Sequence, residues 1–222
     1  MVSKAAAKPA HKAEPVRRAR QARSQETVDR FLDATEELLH DKLFHEIGVM
    51  EIIERSGRTV GSFYARFDDK YAVLRLLRER TEERARGVLQ DVTKPERFAT
   101  ATAEQIVDAM VHAMMATYRD MGPVYRATAA HACVDEEFRE HRQQIFHLVA
   151  DRYAGLLEPH RERIAAADPE RAIDLGFSLM VGLLDQRMLF GPLGLTDVSD
   201  DDLADELVAL ASNLLQLTPV RG

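Results

Sequence analysis

From Ser24 onward the apolar residues recur at a helical interval, and most interruptions are proline or glycine. Val28, Phe31, Leu32, Thr35, Leu38 and Leu39 fall at offsets 0, 3, 4, 7, 10 and 11, one face of a 3.6-residue period. Ser24 is suited to cap that first helix. A short second helix carries Val49, Ile52 and Ile53 and is expected to stop at Ser56-Gly57, where glycine takes the left-handed conformation that closes a helix. A third is predicted from Val60 to Phe67 with Thr59 as its cap. Asp68-Asp69 then opens a long fourth helix with Ala72, Leu74, Leu76 and Leu77 on its inner side. Further helices are predicted over 102–121, 124–133, 136–157, 169–190 and 201–217. Their breaks fall at Pro95, Gly122-Pro123, Pro159, Asp168-Pro169 and Gly191-Pro192. Nothing alternates with the two-residue period of a strand, no Asn-Gly hairpin signal occurs, and no segment repeats. The predicted fold is all-α, with about nine helices.

Composition narrows the class. Of 222 residues, 45% are hydrophobic and 30% charged, a globular balance too apolar for disorder and too charged for a membrane bundle. The single cysteine, Cys133, excludes a disulfide framework and a cysteine zinc finger within the chain. Ala5 to Ala7 is too short for a signal-peptide core, and the apolar stretch 173–195 is interrupted by Asp174, Asp185, Gln186 and Arg187. A cytoplasmic protein with no membrane partner is expected.

The net charge of −7 argues at first against a nucleic-acid partner, but it averages unlike segments. Residues 1–23 hold seven Lys/Arg against one acid, a charge of +6, whereas 24–80 carry −3 and 81–222 carry −10. A basic arm, rich in Ala, Pro and Lys and expected to be flexible, precedes an acidic body.

Short helix, glycine-containing turn, short helix is the helix-turn-helix pattern. Val49 to Arg55 is the first helix, Ser56 to Thr59 the turn, and Val60 to Phe67 the second. Val49, Ile52, Ile53, Phe63 and Phe67 can close a three-helix core with the helix before them. Arg58, Thr59, Val60, Ser62, Tyr64 and Arg66 are left on an outer face fit for a major groove. Residues 28–77 resemble the DNA-binding domain of TetR-family transcriptional regulators. "VMEIIERSG" stands as the second helix, and "TVGSFYARFDDKYAVLRLL" as the recognition helix running into helix four. Thr59, Ser62, Phe63, Tyr64, Phe67 and Lys70 match the family signature in spacing and type.

Position assigns Thr59 to capping and to donation toward a phosphate. Val60 and Ser62 are placed to meet base edges, Val60 against a thymine methyl. The resemblance implies that Tyr64 donates its hydroxyl to one phosphate and Lys70 pairs with another, with Asp69 capping helix four. Gly48 stands where the family has a capping Ser or Thr, and Arg58 where it has an apolar turn residue, so base readout at Arg58 is left open. Arg17, Arg18, Arg20 and Arg23 of the arm either follow the DNA backbone or an adjacent minor groove, or simply solubilise a tail.

The resemblance further implies three segments: the arm over 1–23, a helix-turn-helix domain over 24–80, and a ligand-binding and dimerisation domain over 81–222. Met110, Met114, Tyr118, Tyr125, Phe146 and Phe177 are candidates for a ligand pocket, because methionine and aromatic side chains adapt to irregular, partly apolar shapes. The helix over 169–190 is apolar nearly all round, so two of its faces must be covered. Leu179, Leu183, Leu207, Leu210 and Leu214 are candidates for pairing with a second copy. His131, Cys133 and Asp135 have some metal character, but alternate positions do not share a helix face, and no metal or cofactor is assigned. There is no HExxH, GxSxG, P-loop or dinucleotide fingerprint, and no catalytic residue is assigned. The expected function is a homodimeric repressor, released from a palindromic operator in double-stranded DNA by an unidentified, partly apolar small molecule. The alternatives are a helical interaction module with a fortuitous helix-turn-helix, or a helical enzyme without a readable motif.

Overall fold

A computed structural model describes residues 13–191 and 198–217, the side chains of 13–21 and of Val88 excepted. Among the described residues the chain is all-α. The helices are α1 (Ala13–Asp41), α2 (Val49–Ser56), α3 (Val60–Tyr64), α4 (Lys70–Val92), α5 (Ala103–His131), α6 (Glu136–Leu157), α7 (Pro169–Phe190) and α8 (Asp200–Leu215). Gly122 breaks the helical path inside α5 with φ 36° and ψ −119°, so the two helices predicted over 102–121 and 124–133 join across a kink. Pro123 contributes by removing a backbone donor there. No described helix is long and apolar enough to cross a membrane.

The chain divides into two compact units, Met1–Leu77 and Arg78–Gly222, with the division inside α4. In the first unit Phe31 of α1 meets Phe63 edge-on at 5.3 Å and Phe67 at 5.7 Å, and the latter two rings lie 5.2 Å apart. All three are buried with Ile47, Ile52, Ile53, Val73, Leu74 and Leu77. Thr35, also buried, donates its hydroxyl to the Phe31 carbonyl at 2.8 Å, so its polar group is satisfied within the core. Gly57 closes α2 at φ 65°, ψ 23°, the left-handed conformation that the sequence predicts.

Three local expectations are corrected. α1 begins at Ala13, so Ser24 lies inside the helix and residues 13–23 of the supposed arm are helical. Ala, Arg, Gln and Glu dominate that stretch and extend the helix by propensity without any apolar stripe, while Pro15 sits in the first turn, where proline is tolerated. Residues 1–12 lie outside the described residues. α3 ends at Tyr64, and Phe67 reaches the core from the following turn, its amide bonded to the Phe63 carbonyl at 3.0 Å. On α4, Val73 rather than Ala72 is buried beside Leu74 and Leu77.

In the second unit α5, α7 and α8 pack around Ile106, Val107, Met110, Ile173, Phe177, Met180, Leu184, Leu207 and Leu215, with Tyr153 and Leu157 added from α6. α7 and α8 lie in contact at Gly176, where an added Cβ would meet a Leu214 methyl at an ordinary 3.9 Å. Asp135, Asp168 and Ser199 cap α6, α7 and α8 by accepting from backbone amides at 3.1 Å each. Asp135 and His131, drawn together at 3.6 Å, therefore serve a helix junction. Among the described residues no group of three or more His, Cys, Asp or Glu is placed to hold a metal.

Candidate nucleic-acid interface and interior cavity

The first turn of α3 is built by a reciprocal capping box. Thr59 Oγ1 accepts from the Ser62 amide at 3.2 Å, while Ser62 Oγ accepts from the Thr59 amide at 3.2 Å and donates to the Thr59 carbonyl at 2.8 Å. Thr59 keeps its own hydroxyl proton for an outside acceptor. Ser62 does not, so its expected base-edge role is corrected: its hydroxyl is committed to holding the helix. Val60 (44% exposed) and Tyr64 (56% exposed) stand out from the short helix, with the Tyr64 ring braced edge-on against Phe63. Both side chains are open to contact with another molecule.

Arg58 is half-buried and pairs with Glu26 of α1 at 3.0 Å, which fixes the turn to the first helix. Gly48 offers no side-chain cap. Instead Glu51 Oε2 accepts from the Gly48 amide at 2.9 Å, and its other oxygen pairs with Lys42. These contacts hold the Glu51 carboxyl below its ordinary range, the Gly48 amide first and Lys42 second.

Lys70 departs furthest from expectation. Its ammonium donates to the carbonyls of Phe44 (3.0 Å), His45 (3.1 Å) and Ile47 (2.7 Å) and lies 5.0 Å from the Phe44 ring centre. A lysine has three N–H donors, and all three are used, so the implied pairing with a phosphate is corrected to a strut that ties the loop before α2 to the start of α4. Burial pushes its pKa down, with Glu51 acting the other way. Asp69 caps α4 as expected, accepting from the Ala72 amide at 2.9 Å. Arg23 is exposed on α1, whereas the side chains of Arg17, Arg18 and Arg20 lie outside the described residues.

The second unit holds a partly open cavity of about 170 Å³ between α4, α5, α6 and α7. Met110, Met114, Tyr118, Tyr125, Phe146 and Phe177 all lie on its wall, with Leu89, Met121, Phe138, Ile145, Val149 and Val181. Sequence reasoning missed its charged lining, Arg78, Glu82, Arg86, His141 and Arg142. Tyr118 and Tyr125 flank the Gly122 kink, and both donate to Asp185 Oδ1 of α7, Tyr118 at 3.1 Å. Arg142 of α6 bonds both Asp185 and the Tyr125 hydroxyl, closing a network across three helices. Burial, then the Asp185 charge, pushes the Tyr125 phenol up to about 12. Burial and the neighbouring Tyr125 raise Tyr118 in the same direction. The only signal for this network in the sequence is Asp185, a carboxylate within an apolar helix.

On α7, Leu179 (38% exposed) and Leu183 (42%) face outward in one stripe with Leu175 and Phe190, which sequence reasoning did not select. Leu207 is a correction: it is 1% exposed, because Ala204, Leu207, Ala211 and Leu215 form the inner face of α8. Leu210 and Leu214 flank that face and are half-buried.

Residues 31–77 match the sequence profile of the family described as bacterial regulatory proteins, tetR family. A search of curated proteins finds no match. Among solved structures, a protein from Rhodococcus sp. described as a TetR-family transcriptional regulator is 15% identical, with a TM-score of 0.64 over 86% of this chain and 99% of that one. A transcriptional regulator from Cytophaga hutchinsonii is 13% identical, with a TM-score of 0.61 over 84% and 95%. At such identities the likeness is one of fold.

Proposed function

We propose that this TetR-family DNA-binding regulator acts as a homodimeric repressor that leaves a palindromic operator when a small molecule fills its interior cavity. The observation that carries the reading is the family match over 31–77, on a segment whose α3 leaves Val60 and Tyr64 exposed. Val60 would meet base edges, Thr59 and Tyr64 would donate to phosphates, and Arg58 and the α1 arginines would add charge. A two-fold dimer would supply two recognition helices for two half-sites. Its interface would use the outward leucines of α7, Leu179 and Leu183, with Leu210 and Leu214 of α8. Residues 24–80 would form the DNA-binding domain and 81–222 the ligand-binding and dimerisation domain, with α4 belonging in part to each. A ligand pressing on the wall of α4 would shift that helix and change the half-site spacing, which is a differential affinity of ligand for two states.

The test begins by selecting a bound duplex from a random pool, followed by titration of that duplex with the Tyr64→Ala variant. Tyr64 is exposed, so the variant is expected to keep its helix content and thermal midpoint while losing sequence-selective binding. Failure of the wild-type chain to select any duplex at low salt would overturn the proposal.

A further inference from the structure

One side chain on the cavity wall has unfinished hydrogen bonding. Arg78 is 8% exposed, yet its Nε and Nη1 are buried with no acceptor among the described residues. The nearest carboxylates do not supply one: Glu82 stands 3.9 Å from Nε and Glu137 3.6 Å from Nη2, both beyond hydrogen-bond distance. The other Glu82 oxygen is taken by His141 at 2.6 Å. Phe138 covers one face of the guanidinium, 4.6 Å from its ring centre, which holds the group in place without satisfying any N–H. Arg142, another arginine of this wall, is bonded to Asp185 and Tyr125. A buried guanidinium with idle donors is costly by itself and becomes favourable once an anion completes it.

We propose that the cavity binds a small amphipathic carboxylate, with its apolar body among the methionine and phenylalanine side chains and its carboxylate accepting from Arg78. This deepens the reading of the cavity as the effector site and rests on it. Size limits the body, since a cavity of roughly 150 Å³ holds benzene, and this one measures about 170 Å³. The head is a single carboxylate placed to accept from Arg78, while Glu82 on the same wall opposes further negative charge beside that guanidinium. Arg78 is also the first residue of the second unit, so a carboxylate drawn to it would act on α4 at the point where that unit begins.

Calorimetric titration of the full chain with two matched pairs tests this: 3-phenylpropanoate against its primary amide, and octanoate against its primary amide. The ring pair and the chain pair separate the two kinds of body. At least one carboxylate is expected to bind on the order of tenfold or more tightly than its amide. Arg78→Met is expected to erase that preference, and Arg78→Lys, which keeps the charge, to retain part of it. Equal affinity of acid and amide, no binding by either carboxylate, or a preference that survives Arg78→Met would each overturn the proposal. Should Arg78→Met fail to fold, the wild-type pairs and Arg78→Lys still decide it. A carboxylate that binds without altering affinity for the selected duplex would refute the ligand-responsive repressor and leave the carboxylate site standing.

Discussion

Lys70 and Arg78 lie on the same helix, one in each compact unit, and meet opposite conditions. Lys70 finds three backbone carbonyls converging on its ammonium, whereas Arg78 is buried against an aromatic ring with two nitrogens unserved. The role of a buried cation is thus decided by the acceptors the fold brings to it. Around Lys70 the acceptors are present and the lysine is structural. Around Arg78 Nε and Nη1 they are absent among the described residues, and the arginine is a docking group. The same contrast runs through the surroundings: the first unit is a small aromatic core with a reciprocally capped α3, and the second keeps a space lined by polarisable and charged groups.

The strongest way to break the contrast is to remove the aromatic core of the first unit. Phe63 is fully buried and touches Phe31, Phe67 and Tyr64, so Phe63→Ala deletes three ring contacts and leaves a cavity. It should cost roughly 3–5 kcal/mol, read as a lowered urea midpoint, and should abolish duplex binding. A loss below about 1 kcal/mol would mean the triad is not the core of this unit.

Next in size is Asp185→Ala. It strands Arg142 and two phenols around the kink of α5, and because Arg142 is one-third exposed the cost should be on the order of 2–4 kcal/mol. The network also carries a pH signature. A phenol whose folded pKa is raised stabilises the fold fully below its ordinary value near 10 and loses that contribution as pH rises through about 12. Urea stability should therefore fall between pH 10 and 12, and the Tyr125→Phe variant should fall less steeply. Parallel pH profiles would show that Tyr125 does not titrate within the network.

The sequence made the helix breaks legible because proline, glycine and capping acceptors act within a few residues of themselves. Gly57, Asp69 and Asp168 all do their work locally. The start of α1 was not legible, since a helix extended by propensity leaves no apolar period to read. Leu207 was misassigned because α8 is apolar on more than one side, and only packing against α5 and α7 decides which leucines turn inward. The methionine and aromatic lining of the cavity could be read from residue type. Its charged wall could not, because Arg78, Glu82 and Arg86 of α4 come together with His141 and Arg142 of α6 only in the folded chain. Lys70 misled for the same reason: its carbonyl partners lie 23 to 26 residues away.

Lys70→Ala sharpens the comparison directly. It removes three hydrogen bonds to carbonyls that water can partly replace at a half-buried site, so a loss of about 1–3 kcal/mol is expected, with the loop at 43–47 loosened. Hydrogen exchange should quicken at the Ile47 amide, now bonded to Phe44 at 3.2 Å. If Lys70→Ala instead keeps full stability while losing duplex affinity, lysine at this position serves the phosphate after all, and the division between structural and docking cations fails.

The smallest expected effect concerns a second idle donor. Tyr153 is fully buried against Phe177, its hydroxyl has no partner among the described residues, and burial pushes its pKa up. If idle donors in this unit await an acceptor, the hydroxyl serves no purpose in the empty protein, and Tyr153→Phe should leave stability unchanged or raise it by up to about 1 kcal/mol. The informative measurement is the thermal midpoint with and without the carboxylate that binds best. Tyr153→Phe should be neutral to that ligand, because Tyr153 does not line the cavity, whereas Arg78→Met should remove most of the ligand-induced rise. A destabilised Tyr153→Phe variant would mean that the hydroxyl is bonded within the fold, and that unpaired donors in this unit do not by themselves mark a binding site.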